Sequence, residues 1–103
     1  MRYRPAKAMP AFLDGKRITP AQRVVMAALL RRERPVPPCD LLALLPAAHR
    51  AANSGVIATY ISQLRPRLRA HDIGILHSSD GYFLTPAGRE RLAALVKAQR
   101  VAT

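Results

Sequence analysis

The fold follows from residues 56–84, VIATYISQLRPRLRAHDIGILHSSDGYFL, in which a helical pattern gives way to a hairpin pattern. The apolar residues of the first half repeat at helical spacing and form one stripe: Ile57, Ile61, Leu64 and Leu68. This stripe predicts a helix over residues 54–70. Two short β-prone segments then flank the polar residues 78–81, which predicts a β-hairpin over residues 75–84. The stretch therefore indicates a mainly helical domain with a small β component.

Upstream of this stretch, the sequence predicts another hairpin and the start of the first helix. Asp14-Gly15 is a favoured hairpin dipeptide, so residues 11–18 are predicted to form two short strands around it. Thr19-Pro20 predicts a helix start, because Thr accepts a hydrogen bond from an orphan N–H and Pro fits the first helical position.

The remaining helices are bounded by prolines and by a second Thr-Pro pair. The first helix is predicted to finish in the basic residues 31–34, because three prolines within the next four residues prevent its continuation. Residues 40–45 predict a short helix, and residues 46–53 are expected to form a connector. The second Thr-Pro pair predicts a last helix over residues 86–101. The predicted order is hairpin, helix, helix, helix, hairpin, helix.

Length and charge indicate one basic domain. The chain has 103 residues, with 17 Lys plus Arg against 6 Asp plus Glu, for a net charge of +11. Half of the residues are hydrophobic, which argues against a disordered chain, so residues 11–103 are predicted to fold behind an irregular basic arm, residues 1–10. No apolar run reaches the roughly 20 residues of a membrane span, and no secretory signal is recognised. The single cysteine fits a reducing cytoplasm.

This charge favours nucleic acid, an anionic membrane surface or an acidic protein as a partner. The outward side of the helix over residues 54–70 favours nucleic acid, because it carries no carboxylate. Gln can bind adenine through two hydrogen bonds, Arg can bind guanine, and Ser or Thr can serve bases or phosphates. The outward residues are Thr59, Ser62, Gln63, Pro66 and Arg69, flanked by Arg65 and Arg67. Residues 54–85 carry a net charge of only +1, so cations elsewhere are expected to hold phosphates.

Three segments add a family resemblance, in one order along the chain: LDGKRITPAQ at 13–22, IATYISQLRPRL at 57–68 and ILHSSDGYFL at 75–84. They resemble the hairpin-to-helix passage, the recognition helix and the wing of the OmpR/PhoB family of winged helix–turn–helix effector domains. The resemblance implies that fold: a three-helix core whose third helix enters the major groove, a C-terminal β-hairpin wing and an extra C-terminal helix.

By this resemblance the protein is expected to be a small bacterial or bacteriophage transcription regulator that binds double-stranded DNA in the cytoplasm, at the nucleoid. The connector over residues 46–53 corresponds to a loop that often touches RNA polymerase in the family, which makes the polymerase a further candidate partner. Base contacts are expected for Thr59, Ser62 and Gln63, and phosphate or base contacts for Arg65, Arg67 and Arg69. The wing residues His77, Ser78 and Ser79 are expected to lie near the minor groove. Arg2 and Arg4 of the arm are expected to contact the DNA backbone.

Pro66 departs from the family pattern, which commonly has a basic residue there. An interior proline costs about 3 kcal/mol and removes the hydrogen bond to the Ser62 carbonyl. The recognition helix is therefore expected to kink or end near Arg65. Phosphate contact is then the expected role of Arg67 and Arg69.

Both ends of the domain depart from the family as well. The chain carries no receiver domain, so control by aspartyl phosphorylation is not expected. Its segment LTPAGRERL, residues 84–92, resembles the wing exit of MarR-type regulators, whose terminal helices build a dimer. Leu92, Leu95 and Val96 are expected to pack on the body or on a second copy. A homodimer through residues 86–101, or one formed on DNA, is a candidate assembly.

Other chemistry is not predicted. Cys39 and the three histidines lack metal-ligand spacing, the glycines occur singly and the acids are scattered, so no metal, cofactor or enzymatic activity is expected. Tyr60 and Tyr82 are expected to pack in or beside the core rather than to stack on bases. The alternative function is a winged-helix protein-interaction module that binds RNA polymerase or another regulator. RNA binding and membrane-surface binding are the remaining alternatives.

Overall fold

The computed structural model describes Met9, residues 12–45 and residues 55–102. Within these ranges the protein is mainly helical, with two small antiparallel sheets. The elements are, in order, β1 (Phe12–Leu13), β2 (Lys16–Arg17), α1 (Pro20–Arg31), α2 (Pro38–Leu44), α3 (Gly55–Arg69), β3 (Ile75–Ser78), β4 (Gly81–Leu84) and α4 (Pro86–Ala102). This order of hairpins and helices agrees with the order that the sequence predicts.

The first hairpin and the start of α1 form where the local signals place them. Asp14 and Gly15 have φ of 56° and 79°, the left-handed conformation that a two-residue hairpin turn requires. Thr19 caps α1, since its Oγ1 accepts from the backbone N–H of Gln22 at 3.2 Å. The backbone N–H of Thr19 donates in return to Oε1 of Gln22 at 3.1 Å, which completes a capping box.

Two helix boundaries differ from the predictions. α1 ends at Arg31, ahead of the rest of the basic run, and the backbone N–H of Arg32 donates to the Ala28 carbonyl. α2 begins at Pro38, two residues before the predicted start, because proline fits the first turn of a helix, where no N–H is needed.

The apolar stripe of α3 faces the core as predicted. Its four stripe residues are each at most 1% exposed, and α3 packs against α1 and α2. The sequence predicts that the helix kinks or ends near Arg65; it does not end there, because α3 continues to Arg69. Past the proline, the backbone N–H of Ala70 still donates to the Pro66 carbonyl at 3.3 Å, and burial of Leu68 holds the last turn against the core. Tertiary packing therefore outweighs the local cost of the proline.

The second hairpin has a tighter turn than the sequence predicts. Ser78 pairs with Gly81, so the turn has two residues where four were expected. The hairpin also gains a partner from the segment between α1 and α2. Val36 and Tyr82 exchange two backbone hydrogen bonds, with N···O distances of 2.8 and 3.0 Å. Gly81 makes this contact possible, because its φ is 132° and a Cβ there would lie 2.6 Å from the Pro37 nitrogen.

The last helix closes the core. Thr85 begins α4 as predicted, since its Oγ1 accepts from the backbone N–H of Gly88 at 2.9 Å. Leu92 and Val96 are buried, and α4 packs against α1 and β4. Of the two placements expected for this apolar face, the structure shows packing on the body. No helix within the described residues is long and apolar enough to cross a membrane.

Candidate nucleic-acid interface

The side of α3 opposite the buried stripe is open to solvent. Burial of the stripe fixes the rotation of α3, so the side chains on the other side of the helix project away from the core. The exposed side chains on this side are Thr59, Ser62, Gln63, Pro66 and Arg69. α3 contains no Asp or Glu, so its open side offers hydroxyl, amide and guanidinium groups without a carboxylate.

The two arginines that flank this open side are held by the two hairpins. Arg65 donates from Nε and a terminal nitrogen to the Ile75 carbonyl, at 3.3 and 3.2 Å. Arg67 donates to the Arg17 carbonyl at 2.7 Å. The open side of α3 therefore lies between β3–β4 and β1–β2. Arginine has five N–H donors, so both side chains keep donors for an anion, but each already has a structural role.

Gln63 is tied to α1. Its Oε1 accepts from Nε2 of Gln22 at 2.7 Å, across 41 residues of sequence. Gln22 is only 6% exposed, and it is the one buried polar side chain within the described part of the chain. The sequence predicts a contact role for Gln63 but none for Gln22, whose only local signal is its position three residues after Thr19 in a capping box.

A cleft of about 340 Å³ lies beside this side of α3, next to the first hairpin. Its lining brings residues from both hairpin strands and the last turns of the helix together: Leu13, Asp14, Lys16, Gln63, Pro66, Arg67 and Ala70. The Asp14 side chain lies next to the residues that follow the C-terminal end of α3, since both of its carboxylate oxygens lie 3.1 Å from Nε2 of His71. Lys16 is exposed at this cleft and was not among the predicted contact residues.

The residues predicted to form a wing differ in how far their side chains are free. His77 is exposed, and its ring stacks on Tyr82 of the opposite strand with the centroids 4.5 Å apart. The Ser78 side chain stabilises the turn, because its Oγ accepts from the backbone N–H of Asp80 at 3.2 Å. Ser79 is exposed at the tip. Tyr82 is buried and Tyr60 is half-buried against the core, as predicted for both.

Many arginines of the described ranges donate to backbone carbonyls. Besides the two flanking arginines, Arg23 donates to the Met9 carbonyl, Arg89 to that of Arg32 and Arg91 to that of Asp72. These bonds link elements that are distant in sequence. The excess of Arg over Lys therefore has a structural cause in addition to any role in binding an anion.

One acidic side chain, Asp14, lines the cleft beside the open side of α3. Asp14 pairs with His71, and the carboxylate of Asp72 lies 3.5 Å from the guanidinium of Arg91. The other acids are exposed outside α3: Glu33, Asp40, Asp80 and Glu90. No three His, Cys, Asp or Glu side chains within the described ranges are grouped to hold a metal ion. Cys39 is exposed, with its thiol 3.8 Å from the Asp40 carboxylate.

Some assigned residues lie outside the described residues. These are Arg2 and Arg4 of the arm, and the connector over residues 46–53 that was compared with a polymerase-binding loop. The chain matches no family model, no curated protein and no solved structure. The resemblance to OmpR/PhoB domains therefore rests on the three sequence segments alone, and it stays a prediction.

Proposed function

We propose that this protein is a winged helix–turn–helix regulator of transcription that binds double-stranded DNA in a sequence-specific manner. The order of elements supports this fold. Val36 stands between α1 and α2 and pairs with β4, so α1, a strand position, α2, α3 and a β-hairpin follow one another. In a winged helix–turn–helix the third helix is the one that enters the major groove.

The observation that carries the proposal is the open side of α3. Its own residues are exposed, include no carboxylate and are flanked by arginines, whereas a merely solvated helix face normally mixes both signs of charge. The major groove of B-DNA is about 12 Å wide and accepts one α-helix. The two hairpins beside α3 then face the two phosphate backbones that border the groove.

In this proposal the side chains divide into two tasks. Thr59, Ser62 and Gln63 contact base edges. Arg69 contacts phosphate, because its side chain is exposed and makes no hydrogen bond to another described side chain or carbonyl. Arg65 and Arg67 hold the hairpins and offer their remaining donors to phosphates. His77 and Ser79 of the wing contact the flanking backbone or minor groove, while Ser78 keeps the turn.

The wider setting is part of the same proposal. Arg2 and Arg4 extend the phosphate contacts, and RNA polymerase is a further partner through the connector at residues 46–53. The protein acts in the cytoplasm at the nucleoid of a bacterium, or in one infected by a bacteriophage. A homodimer would form on DNA. The apolar side chains Leu92 and Val96 are unsuited to joining two copies, because each is already buried in its own protomer.

The proposal is tested by selecting bound sequences from a random duplex library. We expect enrichment of one sequence, as a palindrome for a two-fold dimer or as direct repeats for a tandem arrangement. Gln63→Ala should then relax the preference at one base pair, and Lys97→Ala on α4 serves as the control that should leave the selected sequence unchanged. A folded protein that enriches no sequence would overturn the proposed function.

The alternative, a module that binds RNA polymerase or another regulator, has one observation in its favour. Leu76 on β3 is 41% exposed, and its cross-strand neighbour Phe83 is only partly buried, so the hairpin presents an apolar pair outward. Binding to purified RNA polymerase that is lost in Leu76→Ser, together with no enrichment of any duplex, would support this alternative.

A further inference from the structure

The buried amide of Gln22 stands at the centre of a chain of hydrogen bonds that ends at the open side of α3. Its Oε1 accepts from the backbone N–H of Thr19 at 3.1 Å, and its Nε2 donates to Oε1 of Gln63 at 2.7 Å. The reverse orientation of the Gln22 amide would set its NH₂ group against the Thr19 N–H, which are both donors. The capping box therefore dictates which end of Gln22 faces α3.

That orientation dictates the orientation of Gln63 in turn. Nε2 of Gln22 is a donor, so Gln63 must meet it with an acceptor, which is its Oε1. The Gln63 side chain is exposed beyond this contact, and its Oε1 and Nε2 branch from one planar carbon. With the oxygen turned toward α1, the NH₂ group is the end turned toward solvent.

We infer that Gln22 is a positioning residue that makes Gln63 a hydrogen-bond donor toward DNA, so that Gln63 selects guanine. This inference rests on the proposed function and names the base class that the same site prefers. Guanine presents two neighbouring acceptors, N7 and O6, in the major groove, and one NH₂ group has two hydrogens to give. Adenine, which the bidentate pattern of glutamine would favour, needs the amide oxygen on the outward side as well, and that oxygen is turned toward α1, where it accepts from Gln22.

The inference is tested by Gln22→Glu. Glu is the other residue typical of this capping-box position, so its carboxylate can still accept the hydrogen bond from the backbone N–H of Thr19. A carboxylate has only acceptors, so Gln63 must turn its NH₂ group inward and its oxygen outward. The outward acceptor then selects an amino group, N4 of cytosine or N6 of adenine.

Duplex selections with the wild type and Gln22→Glu, run above neutral pH so that the new carboxyl is ionised, measure the effect. We expect the preferred base at one position to change from guanine to cytosine or adenine. The ratio of the two affinities should change roughly five-fold for each hydrogen bond gained or lost. Thermal unfolding of the variant checks that the fold is kept, and a purely structural role of Gln22 would not change the identity of the preferred base.

Two further variants separate the possible outcomes. Gln63→Glu leaves α1 untouched and should give the same switch in base, because its second oxygen faces outward. Gln22→Met keeps a long side chain at the buried site but donates nothing, so the preference at that base pair should weaken several-fold. If Gln63→Glu switches the base while both Gln22 variants keep the wild-type preference, the inference is overturned and the proposed function stands. A wild type that selects no duplex sequence overturns both.

Discussion

Gly81→Ala should be among the most damaging single-methyl changes in the described part of the chain. The new Cβ would lie 2.6 Å from the Pro37 nitrogen and nearer still to the Val36 carbonyl, whereas ordinary contact begins at 3.4 Å. The segment at Val36 must then retreat by most of an ångström. The two hydrogen bonds between Val36 and Tyr82 lengthen from 2.8 and 3.0 Å to beyond useful range.

The expected cost follows from these losses. Two backbone hydrogen bonds contribute about 1 kcal/mol each, and an alanine held at a φ of 132° adds about 1 to 3 kcal/mol of strain. The free energy of unfolding should therefore fall by about 3 to 5 kcal/mol. For a domain of this size that lowers Tm by at least about 12 °C.

Chemical and thermal denaturation of three glycine variants measure this cost with its controls. Gly74→Ala meets no atom within 4 Å and has no positive φ, so we expect a change within about 0.5 kcal/mol. Gly15→Ala also has open space but sits at a φ of 79°, so about 1 kcal/mol of strain is expected. If Gly81→Ala is no more destabilising than Gly15→Ala, the close approach of Val36 to β4 is refuted.

Three further predictions concern the cap, the last helix and the arm. Thr19→Ala should lower the free energy of unfolding by about 1 to 2 kcal/mol in urea titration, and a change near zero would contradict the capping box. Leu92→Ala should cost about 2 to 5 kcal/mol with a Tm that is independent of protein concentration, whereas a concentration-dependent Tm would indicate an interface between copies. Arg2→Ala and Arg4→Ala should weaken binding to selected and scrambled duplexes equally, and loss at only one duplex would refute a backbone role.

The elements that the sequence predicts well are those set by local chemistry. The Asp14-Gly15 turn and the two Thr-Pro starts each depend on residues within one turn of the chain, so their pattern is sufficient. The buried stripe of α3 is equally readable, because one helical period carries it. The same stripe fixes which side of α3 is open, so the candidate contact residues could be proposed before the fold was known.

The parts that the sequence did not predict depend on contacts between distant segments. Val36 lies between two prolines and has no periodic pattern, and its strand pairing with Tyr82 joins segments 46 residues apart. The bond from Gln22 to Gln63 depends on how α1 packs against α3, which local signals do not encode. Pro66 shows the opposite case, since its propensity allows the helix to end near Arg65, whereas α3 continues to Arg69 with Leu68 buried in the core.

The central claim, that the open side of α3 binds DNA, is tested most directly by the salt dependence of duplex affinity. Kd for a selected duplex is measured over a range of salt concentrations for the wild type, Arg69→Ala and Lys97→Ala. We expect a steep negative slope of the logarithm of the association constant, 1/Kd, against the logarithm of the salt concentration for the wild type. Arg69→Ala should reduce that slope by about 0.9, and Lys97→Ala should change it far less. A wild-type slope near zero, or equal losses in the two variants, would contradict the claim.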